Sequence, residues 1–232
     1  MGERIQKDDT EMTLERDLER IIEERTISHS RKEWIETQEE SPLPIYNYRL
    51  DHVRHVVKIS EMLAKHTGAN SQVVRLAAWL HDIVKPGIVP VSEHGIESAK
   101  VAEEILLSKG IEQDTVNQVM DVIRKHVGLT LKHQLNPIEA QVIWEADKID
   151  KLGIVGFIHF IINGARLQPG MMIEEMAQKV REFLPLAEKI AMSMYTPLGK
   201  EMAQSRLEHL RHISFLLDSE IIKHHGEDIS HE

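Results

Sequence analysis

Leu80-His81-Asp82-Ile83-Val84-Lys85 closes an apolar, helix-forming run and stands directly before Pro86-Gly87. A histidine beside an aspartate at the buried end of a helix is costly, because both lose hydration unless another group neutralises or ligates them. The pair therefore needs company. His52 upstream and Asp147 downstream are the candidates, each on a stretch whose apolar positions recur at helical spacing.

Working outward, Ser71 through Val74, Ala77, Ala78 and His81 predicts a helix capped by Ser71 and stopped at Lys85-Pro86-Gly87. The stretch 47–66 predicts another, with Val53, Val56, Val57, Leu63 and Ala64 inward and Gly68 at its end. His52 shares that face with Val56, Ile59 and Leu63, so it points into or along the core. Downstream, Ser92 is the expected cap of a helix with Ile96, Ala99, Ala102 and Leu106 inward and Gly110 at its end. A further helix is expected over 112–126, with Val116, Val119 and Ile123 buried. Asn136-Pro137-Ile138-Glu139 reads as cap, first-turn proline and capping-box glutamate for a helix carrying Val142, Ala146 and Ile149.

The apolar run 152–162 comes next, then an expected loop over 163–170 and two long helices over 171–193 and 197–224. Residues 1–40 are highly charged, with a narrow stripe of Leu14, Leu18, Ile21 and Ile22 that predicts a helix lying on the body or on another chain. The first ten residues and the tail 226–232 are expected to be irregular, and Ser41-Pro42-Leu43-Pro44 to be a break. No strand pattern or repeat emerges. The expectation is an all-α chain: a charged helical extension over 1–44, then one multi-helix domain over 45–225 that includes the long C-terminal helices.

Composition narrows the chemistry. With 38 acidic against 28 basic residues the formal charge is −10, which disfavours binding to a nucleic acid polymer. The absence of cysteine excludes disulfides, thiolate metal sites and cysteine nucleophiles, so any metal must sit on imidazole and carboxylate. No run of about 18 apolar residues marks a membrane span, and the charged N-terminus is unlike a secretory signal. A cytoplasmic protein is expected.

Asp147 and Asp150 in Trp144-Glu145-Ala146-Asp147-Lys148-Ile149-Asp150-Lys151 lie on one helix face, where like charges repel. Either a cation sits beside them or Lys148 and Lys151 make this a solvated charged face. His94 and Lys125-His126 lie near helix turns, where structural histidines are the commoner case. Arg49, Arg54, Lys58, Lys85, Lys148 and Lys151 are the nearby cations.

Taken together, His52 in Asp51-His52-Val53-Arg54-His55, the pair in Leu80-His81-Asp82-Ile83, and Asp147 in Glu145-Ala146-Asp147-Lys148 resemble the HD-domain superfamily of metal-dependent phosphohydrolases. Glu93-His94-Gly95-Ile96-Glu97-Ser98-Ala99 and Tyr195-Thr196-Pro197-Leu198-Gly199-Lys200, with Arg206 after it, extend the resemblance over about 45–220. The resemblance implies that His52, His81, Asp82 and Asp147 ligate one divalent ion, whether Mn, Fe, Co, Ni, Zn or Mg. Beside such a site, Asp150, one turn from Asp147, is expected to orient or deprotonate water, and Lys85, just past the pair, to neutralise phosphate charge. Arg54, Lys148, His94 and His126 would contact substrate. Where clear two-metal members carry a doubled histidine, this chain has Lys125-His126, which favours one ion.

The activity implied is hydrolysis of a small phosphate ester or nucleotide, with a homo-oligomer left open. A non-catalytic metal- or nucleotide-binding regulator is the alternative, and a metal-free helical scaffold the third.

Overall fold

The computed structural model of the protein describes residues 2–33, 46–84, 90, 92–131, 133–168 and 170–225. Regular structure among the described residues is entirely helical: α1 (Gly2–Glu33), α2 (Tyr48–Thr67), α3 (Ser71–Leu80), α4 (His94–Ser108), α5 (Gln113–Lys125), α6 (Ile138–Asp150), α7 (Gly153–Leu167), α8 (Ile173–Met192) and α9 (Pro197–His225). The chain divides into two units, Met1–Gly128 with His133–Asp147, and Leu129–Lys132 with Lys148–Glu232.

In the first unit α3 is the axis. Its sequence Ser-Gln-Val-Val-Arg-Leu-Ala-Ala-Trp-Leu is apolar or small on most faces, and it packs against α1, α2, α4 and α5. The cap is Asn70 rather than Ser71: its Oδ1 accepts from the backbone N–H groups of Gln72 and Val73, at 3.1 and 3.3 Å. The helix ends at Leu80, so His81 is its C-cap residue and Asp82 lies in the following turn. Lys85, Pro86 and Gly87 lie outside the described residues.

α2 begins at Asn47, whose Oδ1 accepts from Leu50 N at 3.2 Å. It ends where Gly68 adopts a φ of 71° and its N–H bonds Ala64 O at 3.1 Å. α1 is helical from Gly2, although an irregular start was the expectation from its charge. Leu18 and Ile22 are buried. On its polar side Glu15 meets Arg75 at 2.9 Å, Glu19 meets Arg54 at 2.8 Å and Asp17 meets Lys109 at 2.5 Å. It thus lies on the body of the first unit. The Ser41–Pro44 break falls outside the described residues.

α4 starts at His94 after Glu93, not at a Ser92 cap, and Ile96 is 47% exposed rather than inward. Gly95 explains the rotation. A Cβ there would lie 2.6 Å from Val127 Cγ2, so α4 runs close against the end of α5 on the Gly95–Ser98–Ala99–Ala102 side. Glu139 departs from the expected capping box as well. Its carboxylate accepts from Asn70 N at 2.7 Å and ties the start of α6 to the cap of α3.

In the second unit α7, α8 and α9 pack on one another around Val180, Ala187, Ile190, Leu207 and Leu210. The loop expected over 163–170 is largely helix: α7 continues to Leu167, with Asn163 Nδ2 donating to His159 O at 2.9 Å. α9 opens with Thr196 Oγ1 accepting from Gly199 N at 3.0 Å. Arg206 of α9 donates to Ile149 O at 2.9 Å, satisfying a carbonyl at the end of α6. The tail 226–232 lies outside the described residues, among which no helix is long and apolar enough to cross a membrane.

Candidate metal centre

Five helices bring four imidazoles and two carboxylates to one place in the first unit. His52 comes from α2, His81 and Asp82 from the end of α3, His94 from the first turn of α4, His126 from the C-cap of α5 and Asp147 from α6. His52 Nε2 lies 3.2 Å from Asp147 Oδ1 and 3.6 Å from Asp82 Oδ2. His81 Nε2 is 3.7 Å from Asp82 Oδ2, and the Nε2 atoms of His94 and His126 are each 3.5 Å from Asp82 Oδ1. His94 and His126 face each other Nε2 to Nε2 at 3.1 Å. The rings of His81 and His126 meet edge to face with centroids 5.1 Å apart.

The local fold sets the ring orientations. His81 and His126 both sit where a helix stops, and each turns Nδ1 onto a carbonyl three residues back: Ala78 O at 2.8 Å and Ile123 O at 2.5 Å. A carbonyl only accepts, so in both rings Nδ1 carries the hydrogen and Nε2 is left facing Asp82. Helix termination, which leaves carbonyls unpaired, thereby fixes the tautomer a metal ligand requires.

The centre fits a cation. His52 and His81 are fully buried and Asp147 and His126 nearly so. Burial pushes the His81 imidazole down to about 3, outweighing the pull of Asp82 upward, so this ring is neutral at physiological pH. Its Nε2 is buried and has no hydrogen-bond partner among the described residues. A buried lone pair among carboxylates is paid for by desolvation unless a cation accepts it. Two overlapping donor groups are present, His52–His81–Asp147 and His81–Asp82–His126, each with ligand atoms within 4.8 Å of one another. Nitrogen and carboxylate oxygen together suit borderline divalent ions.

The other expected site residues lie differently. Arg54 pairs with Glu19 of α1 through Nε and Nη2, both at 2.8 Å, so it serves the α1–α2 contact. Lys148 and Asp150 belong to the second unit and are buried. Asp150 Oδ2 lies 3.8 Å from His159 Nδ1. Burial lowers the Arg206 guanidinium while the Asp150 charge holds it up. His159 escaped the sequence reading, although a lone polar residue within Gly-Phe-Ile-His-Phe-Ile-Ile was its signal. Lys85 lies outside the described residues.

Residues 49–152 match the HD domain family. This chain carries an HD domain. The match begins three residues before His52 and ends five after Asp147, so it encloses all six side chains of the centre. The fold is similar to that of a predicted HD-superfamily hydrolase from an uncultured Thermotogales bacterium, at 17% identity and a TM-score of 0.59 over 88% of this chain and 91% of that one. It is similar too to an HD-superfamily hydrolase of Bacillus thuringiensis (18%, TM-score 0.57, 88% and 97%). A third is Bacillus subtilis YpgQ, solved in complex with ADP (19%, TM-score 0.61, 91% and 96%). At these identities the likeness is one of fold. Among curated proteins, a tRNA (cytidine(56)-2'-O)-methyltransferase of Thermoplasma volcanium is 30% identical over 88 residues. That alignment covers 38% of this chain and spans only 23% of the relative's length.

Proposed function

We propose that this HD-domain protein is a divalent-metal-dependent phosphohydrolase acting on a small phosphate ester or nucleotide. The observation that carries the reading is the convergence of the His52 and His81 Nε2 atoms with Asp82 and Asp147 in a buried place. In this reading those four side chains hold one ion, of Mn, Fe, Co, Ni, Zn or Mg. A divalent ion bound there would lower the pKa of water and polarise a phosphoryl oxygen. Asp147 and Asp82 offset its charge, and His81, fixed by Ala78 O, offers its lone pair without reorienting. The parts given to Asp150, Lys148 and Lys85 rest on sequence position alone: one turn after Asp147, beside it, and just past the His81–Asp82 pair. The ADP held by the similar YpgQ favours a nucleotide among small substrates.

A specific observation favours a second version with two ions. His94 and His126, expected to contact substrate, both bring Nε2 within 3.5 Å of Asp82 Oδ1, so together with Asp82 they would hold a second ion. Elemental analysis of the purified protein beside Asp147→Ala separates these versions. About one divalent ion per chain, reduced in the variant, supports the first, and two ions support the second. Phosphate release from ADP or a monoester that requires added metal and is lost in Asp82→Ala supports an enzyme. Metal and nucleotide binding without turnover would instead make the protein a regulator, and no ion after metal is supplied overturns both versions.

A further inference from the structure

We propose that Ser98 is a positioning residue for the metal centre: its hydroxyl ties the turn that carries Asp82 to the helix that begins at His94, and so holds those two side chains at their spacing. The inference rests on the reading that the centre binds a divalent ion. It names a residue outside the donor set on which that binding depends.

The observation is a pair of hydrogen bonds between one side chain and one backbone residue. Val84 N donates to Ser98 Oγ at 3.1 Å, and Ser98 Oγ donates in turn to Val84 O at 3.3 Å. Val84 stands two residues after Asp82, and Ser98 stands one helical turn after His94. Both bonds are therefore close in the chain to the two side chains they serve. Ser98 is fully buried on the side of α4 that also carries Ala99 and Ala102. Alanine would fill that packing position as well, and a buried hydroxyl costs free energy unless its proton and lone pairs are used. Here both are used on backbone that lies outside α4.

Glu93 gives α4 no side-chain cap, so the start of the helix is located by its neighbours. Gly95 sets α4 against the end of α5, and with it the 3.1 Å approach of His94 to His126. Ser98 sets α4 against the turn after α3, and with it the 3.5 Å separation of His94 Nε2 from Asp82 Oδ1. Ligand atoms must meet a divalent ion to within about 0.2 Å of ideal bond lengths, so a turn released from α4 would weaken binding. Ser60 gives the contrast. It too is fully buried, but its Oγ donates to Val57 O at 2.9 Å, a bond within its own helix α2.

The test measures manganese binding to the full chain, followed by the electron spin resonance signal of free manganese, in wild type, Ser98→Ala and Ser60→Ala. Each variant deletes one buried hydroxyl, and urea unfolding records the stability each loses. Ser98→Ala should bind manganese about tenfold more weakly, the lower end of the cost of changes just outside a ligand set. Ser60→Ala should stay within about threefold of wild type, because its bond touches neither the turn nor α4. Equal affinity in wild type and Ser98→Ala overturns the proposal. Equal weakening in both variants also overturns it, since the effect would then be one of general stability. A wild type that takes up no manganese overturns the metal reading and the Ser98 inference with it. That failure shows in the unaltered chain, whereas failure of the Ser98 inference alone shows only in the variants.

Discussion

Replacing Gly95 with alanine sets two physical effects against each other. Alanine is favoured over glycine inside a helix by about 1 kcal/mol, and Gly95 lies in the first turn of α4, where the gain is smaller. Against it, the new Cβ would stand 2.6 Å from Val127 Cγ2, 3.2 Å from Ile123 O and 3.4 Å from Arg124 O. Two of those neighbours are backbone, and valine has a stiff χ1, so the strain is relieved only by moving α4 off α5. Overpacking of this kind costs about 1–3 kcal/mol. The net expectation is destabilisation by about 1–2 kcal/mol, which for a chain of this size lowers Tm by about 2–8 °C.

The displacement also has a direction. Gly95 follows His94 and Val127 follows His126, so the clash parts the two rings that now meet at 3.1 Å. Urea unfolding and manganese titration of Gly95→Ala read both effects. Stability equal to or above wild type, with unchanged metal uptake, would refute the close-packing account of α4 and α5.

Adding manganese at about 100 times its Kd should stabilise the wild-type chain by about 2.7 kcal/mol, and the rise should vanish in His81→Leu. A thermal shift that persists in that variant would place the metal elsewhere. Asn70→Ala should cost about 1 kcal/mol through loss of the cap it gives to Gln72 and Val73, read by chemical denaturation. Glu19→Ala breaks a pair with Arg54 whose side chains are 36% and 44% exposed. It should change stability by less than about 1 kcal/mol, an effect that salt diminishes further. A larger loss would mean that α1 is held by charge more than by Leu18 and Ile22.

The centre was legible because its chemistry is local in the chain. His81 and Asp82 are adjacent, and their cost when buried points to a ligand whatever the distant partners are. Helical spacing placed His52 inward, and the structure has it fully buried. His94 and His126 were legible as residues but not as neighbours, since their approach depends on how closely Gly95 lets α4 meet α5. Small polar residues misled at the edges. Asn70 and Ser71 are both good caps, and only backbone geometry chooses between them. Asn163 and Gly164 look like loop, yet one bonds back along its own helix and the other lies close to Met176.

Asn47 shows how narrowly a joint between helices can be specified. Asparagine and aspartate cap helices about equally well, so a substitution between them would pass for neutral at most helix starts. Here the amide works from both ends, accepting from Leu50 N with its oxygen and donating to Thr26 with its nitrogen. An aspartate would keep the first bond but has no proton to donate, so Thr26 could bond it only by giving up Glu23 O. Asn47→Asp, a change of one atom that also arises by spontaneous deamidation, would leave α2 intact while weakening the tie between its start and the end of α1. Ageing of the protein would therefore loosen this joint while the buried Leu18 and Ile22 still hold the rest of α1 in place.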